Sequence, residues 1–182
     1  MALLLTFNSF CVLSADENGH QKGHRHNERF HKDPGEKRDR AAEIPLKPVI
    51  DPAYKETCGA CHFTYQPELL PSGSWVKILD NIKEHFGEGI DIDTESRRII
   101  SKYLVGNAGE YSRAHLPAKI MESLRGQTPS QIIEIPYIRH KHQDIPCEVF
   151  SRKAVGSLSN CSACHRTADQ GMYNGDDVVI PE

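Results

Sequence analysis

Two pentapeptides carry the clearest chemistry in this chain: Cys58-Gly59-Ala60-Cys61-His62 and Cys161-Ser162-Ala163-Cys164-His165. Each is C-x-x-C-H, the attachment pattern for c-type haem. Two thiols three residues apart, on a turn entering a helix, can form thioethers to the two vinyl groups of one porphyrin. The imidazole that follows then lies under the iron as its proximal ligand. The motifs use four of the six cysteines. Cys58, Cys61, Cys161 and Cys164 are therefore read as attachment points for two haem c groups, with His62 and His165 as proximal ligands. The competing reading is one tetrahedral zinc held by four thiolates. Residues 62–160 separate the two pairs, far more than a zinc-ribbon loop, and a histidine follows each pair, which a four-cysteine site does not need. A thioredoxin-like dithiol fits less well, because neither motif sits in a βαβ pattern.

A haem iron with one protein ligand keeps an open face for small molecules or catalysis; a second ligand closes it for electron transfer. Outside the motifs and the N-terminal segment stand His85, His115, His140, His142, Met121 and Met172. His85 is expected on the apolar stripe of a helix, 23 residues after His62, and is the candidate distal ligand there. His142, 23 residues before His165, is the counterpart candidate. His140 is its alternative, since two residues away on an extended chain it points the opposite way. His115 is expected exposed, and Met172 follows His165 too closely to reach the opposite haem face. Two bis-histidine haems would have fairly low potentials, because histidine stabilises ferric iron better than a thioether.

The elements that must position these groups are helical, and no convincing strand is legible. Trp75, Ile78, Leu79, Ile82, His85 and Phe86 recur at three and four, predicting a helix from about Ser74 that Gly87 closes. A second helix is predicted over 94–104, with Asp93 as N-cap and Ile99, Ile100, Tyr103 and Leu104 on its buried face, stopped by Gly106-Asn107. A third is predicted near 117–124. Residues 132–137 read as extended or irregular, since Pro136 biases Ile135 away from helix. The expected fold class is mainly α.

With 182 residues, 26% of them charged and 38% hydrophobic, the chain makes one modest domain or two small ones. Residues 1–15, mostly apolar up to Leu13 and then Ser14-Ala15, read as a secretory signal peptide, although the usual leading positive charges are missing. Export suits thioether attachment, which needs reduced thiols outside the cytoplasm. Residues 16–48, with His20, His24, His26 and His31 among mixed charges, read as a flexible tether. Its end, 43–48, is an extended lead-in. The first haem domain is then expected over 49–107 and the second over 108–182. Cys11 would leave with the leader, and Cys147 falls outside both motifs; it is expected to pack as a small apolar residue, with an intermolecular disulfide as the alternative. So small a core implies an apo form that does not fold stably.

Cys58-Gly59-Ala60-Cys61-His62, Tyr65-Gln66-Pro67, Leu70-Pro71, Trp75 and His85-Phe86-Gly87, with Ile135-Pro136-Tyr137, Lys141-His142 and Asn160-Cys161-Ser162-Ala163-Cys164-His165, resemble the dihaem cytochrome c family over about residues 50–181. The resemblance implies a small, mostly helical periplasmic electron carrier. Its first half would be like a class I cytochrome, and both haems would be six-coordinate with two histidines. It implies a membrane b-type cytochrome as electron donor and a monohaem c-type cytochrome as acceptor. His85 and His142 fall where the family's distal histidines are expected; His140 is an extra histidine beside that place. By analogy with small cytochromes, the carbonyl of Pro67 or Pro71 is expected to accept from His62.

The leading reading is thus a non-enzymatic electron carrier with two haems, with no nucleic-acid partner and no spanning segment. Residues 49–182 hold 14 Lys+Arg against 18 Asp+Glu, a formal −4, so a basic face on a partner is expected to speed encounter. Two alternatives stand beside it: the electron-delivering subunit of a periplasmic reductase, and a dihaem peroxidase using Glu134 or His140 beside an open iron.

Overall fold

A computed structural model describes residues 44–182. The leader, most of the tether and its four histidines, and Cys11 lie outside the described residues. The described chain is mainly α, as expected, with short helices linked by single 3-10 turns and no strand among the described residues.

Helix α1 (Pro52–Cys58) begins on Asp51, whose side chain accepts from the Tyr54 amide at 2.8 Å, with proline in the first turn. A 3-10 turn, Pro67–Leu69, leads into α2 (Ser72–Asp80). Trp75 and Leu79 are the apolar residues that α2 buries. Helix α3 (Thr94–Gly106) lies against α2 and α1. The predicted Asp93 cap is present, accepting from the Glu95 and Ser96 amides at 3.0 Å each. Ile100 and Leu104 are fully buried on α3; each such burial contributes about 2 kcal/mol. Tyr103 is half-buried, while Ile99 faces out, narrowing the stripe that the sequence suggested.

Helix α4 (His115–Leu124) buries Pro117, Ile120 and Leu124 and ends at Arg125 in the left-handed region. It packs on α5 (Pro136–His142). Pro136 does hold Ile135 in extended backbone, but it also starts a helix: proline is tolerated at the first position, where the missing N–H has no partner to lose. The region read as extended is therefore a 3-10 turn, Ile132–Glu134, followed by α5. The last elements are α6 (Cys147–Phe150) and α7 (Cys161–Cys164).

One apolar cluster runs from Leu46 to Ile135 and includes Tyr54, Trp75, Leu79, Ile100, Leu104 and Ile120. The extended lead-in joins it. Leu46 is 2% exposed, its amide donates to Gly171 O at 3.0 Å, and the Lys47 amide donates to the buried carboxylate of Glu68 at 2.6 Å. Ser112 Oγ donates to the other Glu68 oxygen at 2.7 Å. Gly171 has φ +77, and a Cβ built there would lie 2.1 Å from Leu46 O. Both the conformation and the approach of two backbones require glycine. Gly171→Ala should cost ~2 kcal/mol or more and lower the thermal midpoint by roughly 4–8 °C, read by far-ultraviolet circular dichroism; an unchanged midpoint would refute this account of the contact.

Candidate haem-binding sites

Helix α1 delivers the first motif: Cys58 is its last residue, Gly59 closes it, and Cys61 and His62 follow on exposed chain. The first motif therefore leaves a helix, where the sequence reading had both entering one. The second motif is itself one helical turn, α7, capped by His165. Cys58, Cys61, Cys161 and Cys164 are free of disulfides. Burial pushes the Cys58 and Cys161 thiols up to about 11, and raises Cys164 as well. A dithiol built for exchange or thiolate ligation lowers at least one thiol instead. Cys147 opens α6 and is half-buried.

Four of the described histidines fall into two facing pairs. The ring centroids of His62 and His85 are 6.2 Å apart with planes inclined by 28°, and those of His142 and His165 are 6.1 Å apart at 69°. Imidazole–metal bonds run about 2.0–2.1 Å and a ring nitrogen lies roughly 1.1 Å from its centroid, so two imidazoles in trans on one ion sit ~6.3 Å apart. Both pairs match that spacing. His62 Nδ1 donates to Phe63 O and His142 Nδ1 to Ile138 O, each at 2.7 Å. A carbonyl can only accept, so each Nδ1 carries the proton and each Nε2 is free to ligate. Burial, then the partner imidazole, lowers the pKa of His85 against His62 and of His165 against His142, favouring the neutral, ligating form.

The expected proline acceptor for His62 is not the one used. Pro67 O takes the Trp75 indole N–H at 2.9 Å, and Pro71 O takes the Ser74 and Trp75 amides. Phe63, next to His62, is the nearer carbonyl.

His85 is not on a helix. Helix α2 stops at Asp80 because Asn81 folds back, its side chain donating to Lys77 O at 2.8 Å, and a 3-10 turn (Ile82–Glu84) follows. His85 and Glu88 then exchange backbone hydrogen bonds of 3.0 and 3.1 Å around Phe86 (φ 54) and Gly87 (φ 94). Positive φ at both central residues is the type I′ arrangement, which prefers asparagine then glycine. Phenylalanine there costs about 1–3 kcal/mol. His140 is exposed on α5, two residues and so roughly 200° around the helix from His142, and forms neither pair. His115 is exposed, as expected. Met121 packs on the core, and Met172 is tied by its backbone to Thr167.

Tyr65, Gln66 and Tyr173 join the two sites; Tyr65 and Gln66 stand among the residues of the family resemblance, but nothing there gave them a bridging role. The Tyr65 ring is 5.5 Å from His62, and its hydroxyl donates to Ser159 O, two residues before Cys161, at 2.5 Å. Gln66 is fully buried. Its amide donates to Ala168 O, and its oxygen accepts from Tyr173, each at 2.5 Å. Tyr173 in turn lies 5.6 Å from the His165 ring. Burial raises the Tyr54, Tyr65 and Tyr173 hydroxyls, so all three stay protonated donors at neutral pH. Amphipathic periodicity marks only apolar faces, so a buried bridging glutamine leaves no signal of that kind.

A helical chain with two C-x-x-C-H motifs, each placing its histidine opposite a second imidazole, belongs to the class of multihaem c-type cytochromes. The sequence matches dihaem cytochrome c over residues 54–173, and the chain belongs to that family. It is similar to the diheme cytochrome c from Rhodobacter sphaeroides, with 36% identity and a TM-score of 0.61 over 70% of this chain and 99% of that one. It is also similar to the diheme cytochrome type c of Shewanella baltica, with 31% identity and a TM-score of 0.58 over 71% of this chain and 92% of that one. No curated protein matches the chain. As a member of the family it carries two covalently bound c-type haems, and its chemistry is electron transfer.

Replacing Gln66 by leucine leaves the Ala168 carbonyl and the Tyr173 hydroxyl without their partner in the interior. We expect ~2–4 kcal/mol of lost stability, measured as a lower guanidinium midpoint of the holoprotein. A midpoint within error of the unsubstituted protein would contradict the bridging role.

Proposed function

We propose that the protein is an exported electron carrier with both haems closed by histidine, taking electrons from a membrane cytochrome and passing them to a soluble haem protein. Cys58 and Cys61 attach the first haem, with His62 proximal and His85 distal. Cys161 and Cys164 attach the second, with His165 proximal and His142 distal. The observation that carries the reading is the pair of facing imidazoles at each site, 6.2 and 6.1 Å apart. Each haem, when bound, supplies a one-electron ferric–ferrous couple whose potential the axial ligands set. The chain's own residues place two imidazoles at each site and present Tyr65 between the first proximal histidine and the second motif.

Export is supported by the apolar stretch before Asp16 and by the reduced thiols that thioether formation needs outside the cytoplasm. No helix among the described residues is long and apolar enough to cross a membrane. The donor and acceptor come from the family resemblance, and the formal −4 of residues 49–182 supports a partner with a basic face.

Electron paramagnetic resonance of the ferric holoprotein tests the coordination. Two low-spin signals are expected; a high-spin signal before any ligand is added would make one iron an open, catalytic or sensing site. His142→Ala should convert one haem to high spin, whereas His140→Ala should leave both signals in place. The reverse result would move the second distal ligand to His140.

A further inference from the structure

We infer that the first haem can exchange His85 for a neutral diatomic ligand such as carbon monoxide or nitric oxide, while His142 keeps the second haem closed; the inference rests on the bis-histidine reading above. The two distal histidines are held in different ways. His142 is the last residue of α5, and its Nδ1–H donates to the Ile138 carbonyl one turn back at 2.7 Å. Helix and side-chain bond together fix that ring. His85 stands on no helix, and among the described residues its ring makes no hydrogen bond; the aromatic rings beside it are those of His62 and Phe86.

The turn that carries His85 is also poorly matched to its sequence. Phe86 occupies the left-handed region at φ 54, where a bulky side chain is an outlier, and only Gly87 at φ 94 suits its place. Opening the turn relieves Phe86, and little burial opposes the movement, because Phe86 is 53% exposed and Gly87, Glu88 and Gly89 are all exposed. Two hydrogen bonds, His85 N to Glu88 O and Glu88 N to His85 O, close it, and one longer bond, Ile90 N to Ile82 O at 3.3 Å, brackets it. In the exchange one iron–nitrogen bond to His85 breaks and one bond to the diatomic forms. The imidazole leaves neutral, and the iron stays ferrous, with no electron gained or lost.

The test adds carbon monoxide to dithionite-reduced holoprotein and follows the Soret band. The expected result is one carbon monoxide per two haems, taken up at a rate that levels off with concentration because release of His85 comes first. Gly87→Ala adds strain to the turn without a clash, since nothing lies within 4 Å of a Cβ there. It should raise the plateau rate about fivefold. No uptake, two equivalents per protein, or a plateau rate that Gly87→Ala leaves unchanged would each overturn the inference. The same preparation separates this from the reading beneath it. Protein that is low-spin when ferric, yet takes up no carbon monoxide once reduced, defeats only the exchange, whereas ferric protein that is high-spin before any addition defeats the bis-histidine assignment.

Discussion

Two imidazoles facing each other about 6 Å apart are a demanding thing for a small chain to hold, and the rest of the structure follows from that demand. Each pair draws its members from distant parts of the sequence: His62 with His85, and His142 with His165. The elements that carry them are brief. The longest helix among the described residues, α3, has 13 residues, and α1 and α5 have seven each. Helices shorter than about 12–15 residues are marginal in water, so these persist only through what they pack against. Two covalently attached porphyrins supply apolar surface and cross-links together. That is the physical sense in which the cofactors are part of the core.

The two ends of the described chain are built differently. The apolar cluster stops at Ile135 in sequence. Beyond it only Val149, Val155 and Ala168 are buried apolar residues. Residues after 145 are joined to the cluster largely by polar bonds: Leu46 to Gly171, Tyr65 to Ser159, and Gln66 to Ala168 and Tyr173. Such bonds are directional, so they fix position more sharply than they add stability. For a protein that moves electrons between two centres, a fixed separation matters more than a large margin of stability.

Much of this was legible from residue types and spacing. The motifs marked the four free thiols and one member of each histidine pair, the Asp93 cap and the buried Ile100 and Leu104 announced α3, and the count back from His165 pointed to His142. The misreadings have local causes. Periodicity through Trp75, Ile82 and Phe86 hid the Asn81 side chain that ends α2, so His85 was placed on a helix and is on a strained turn. Pro136 was read for what it forbids before it, and not for the helix it starts after it. The bridging role of Gln66 depends on long-range proximity, which no local pattern encodes.

The central claim is the pairing of histidines through iron, and a crystal structure of the holoprotein tests it most directly. The account predicts one iron bonded to the Nε2 atoms of His62 and His85 and the other to those of His165 and His142, with Nδ1 of His62 on Phe63 O and Nδ1 of His142 on Ile138 O. An iron bound to His140, to Met121 or Met172, or to a single protein ligand would contradict it.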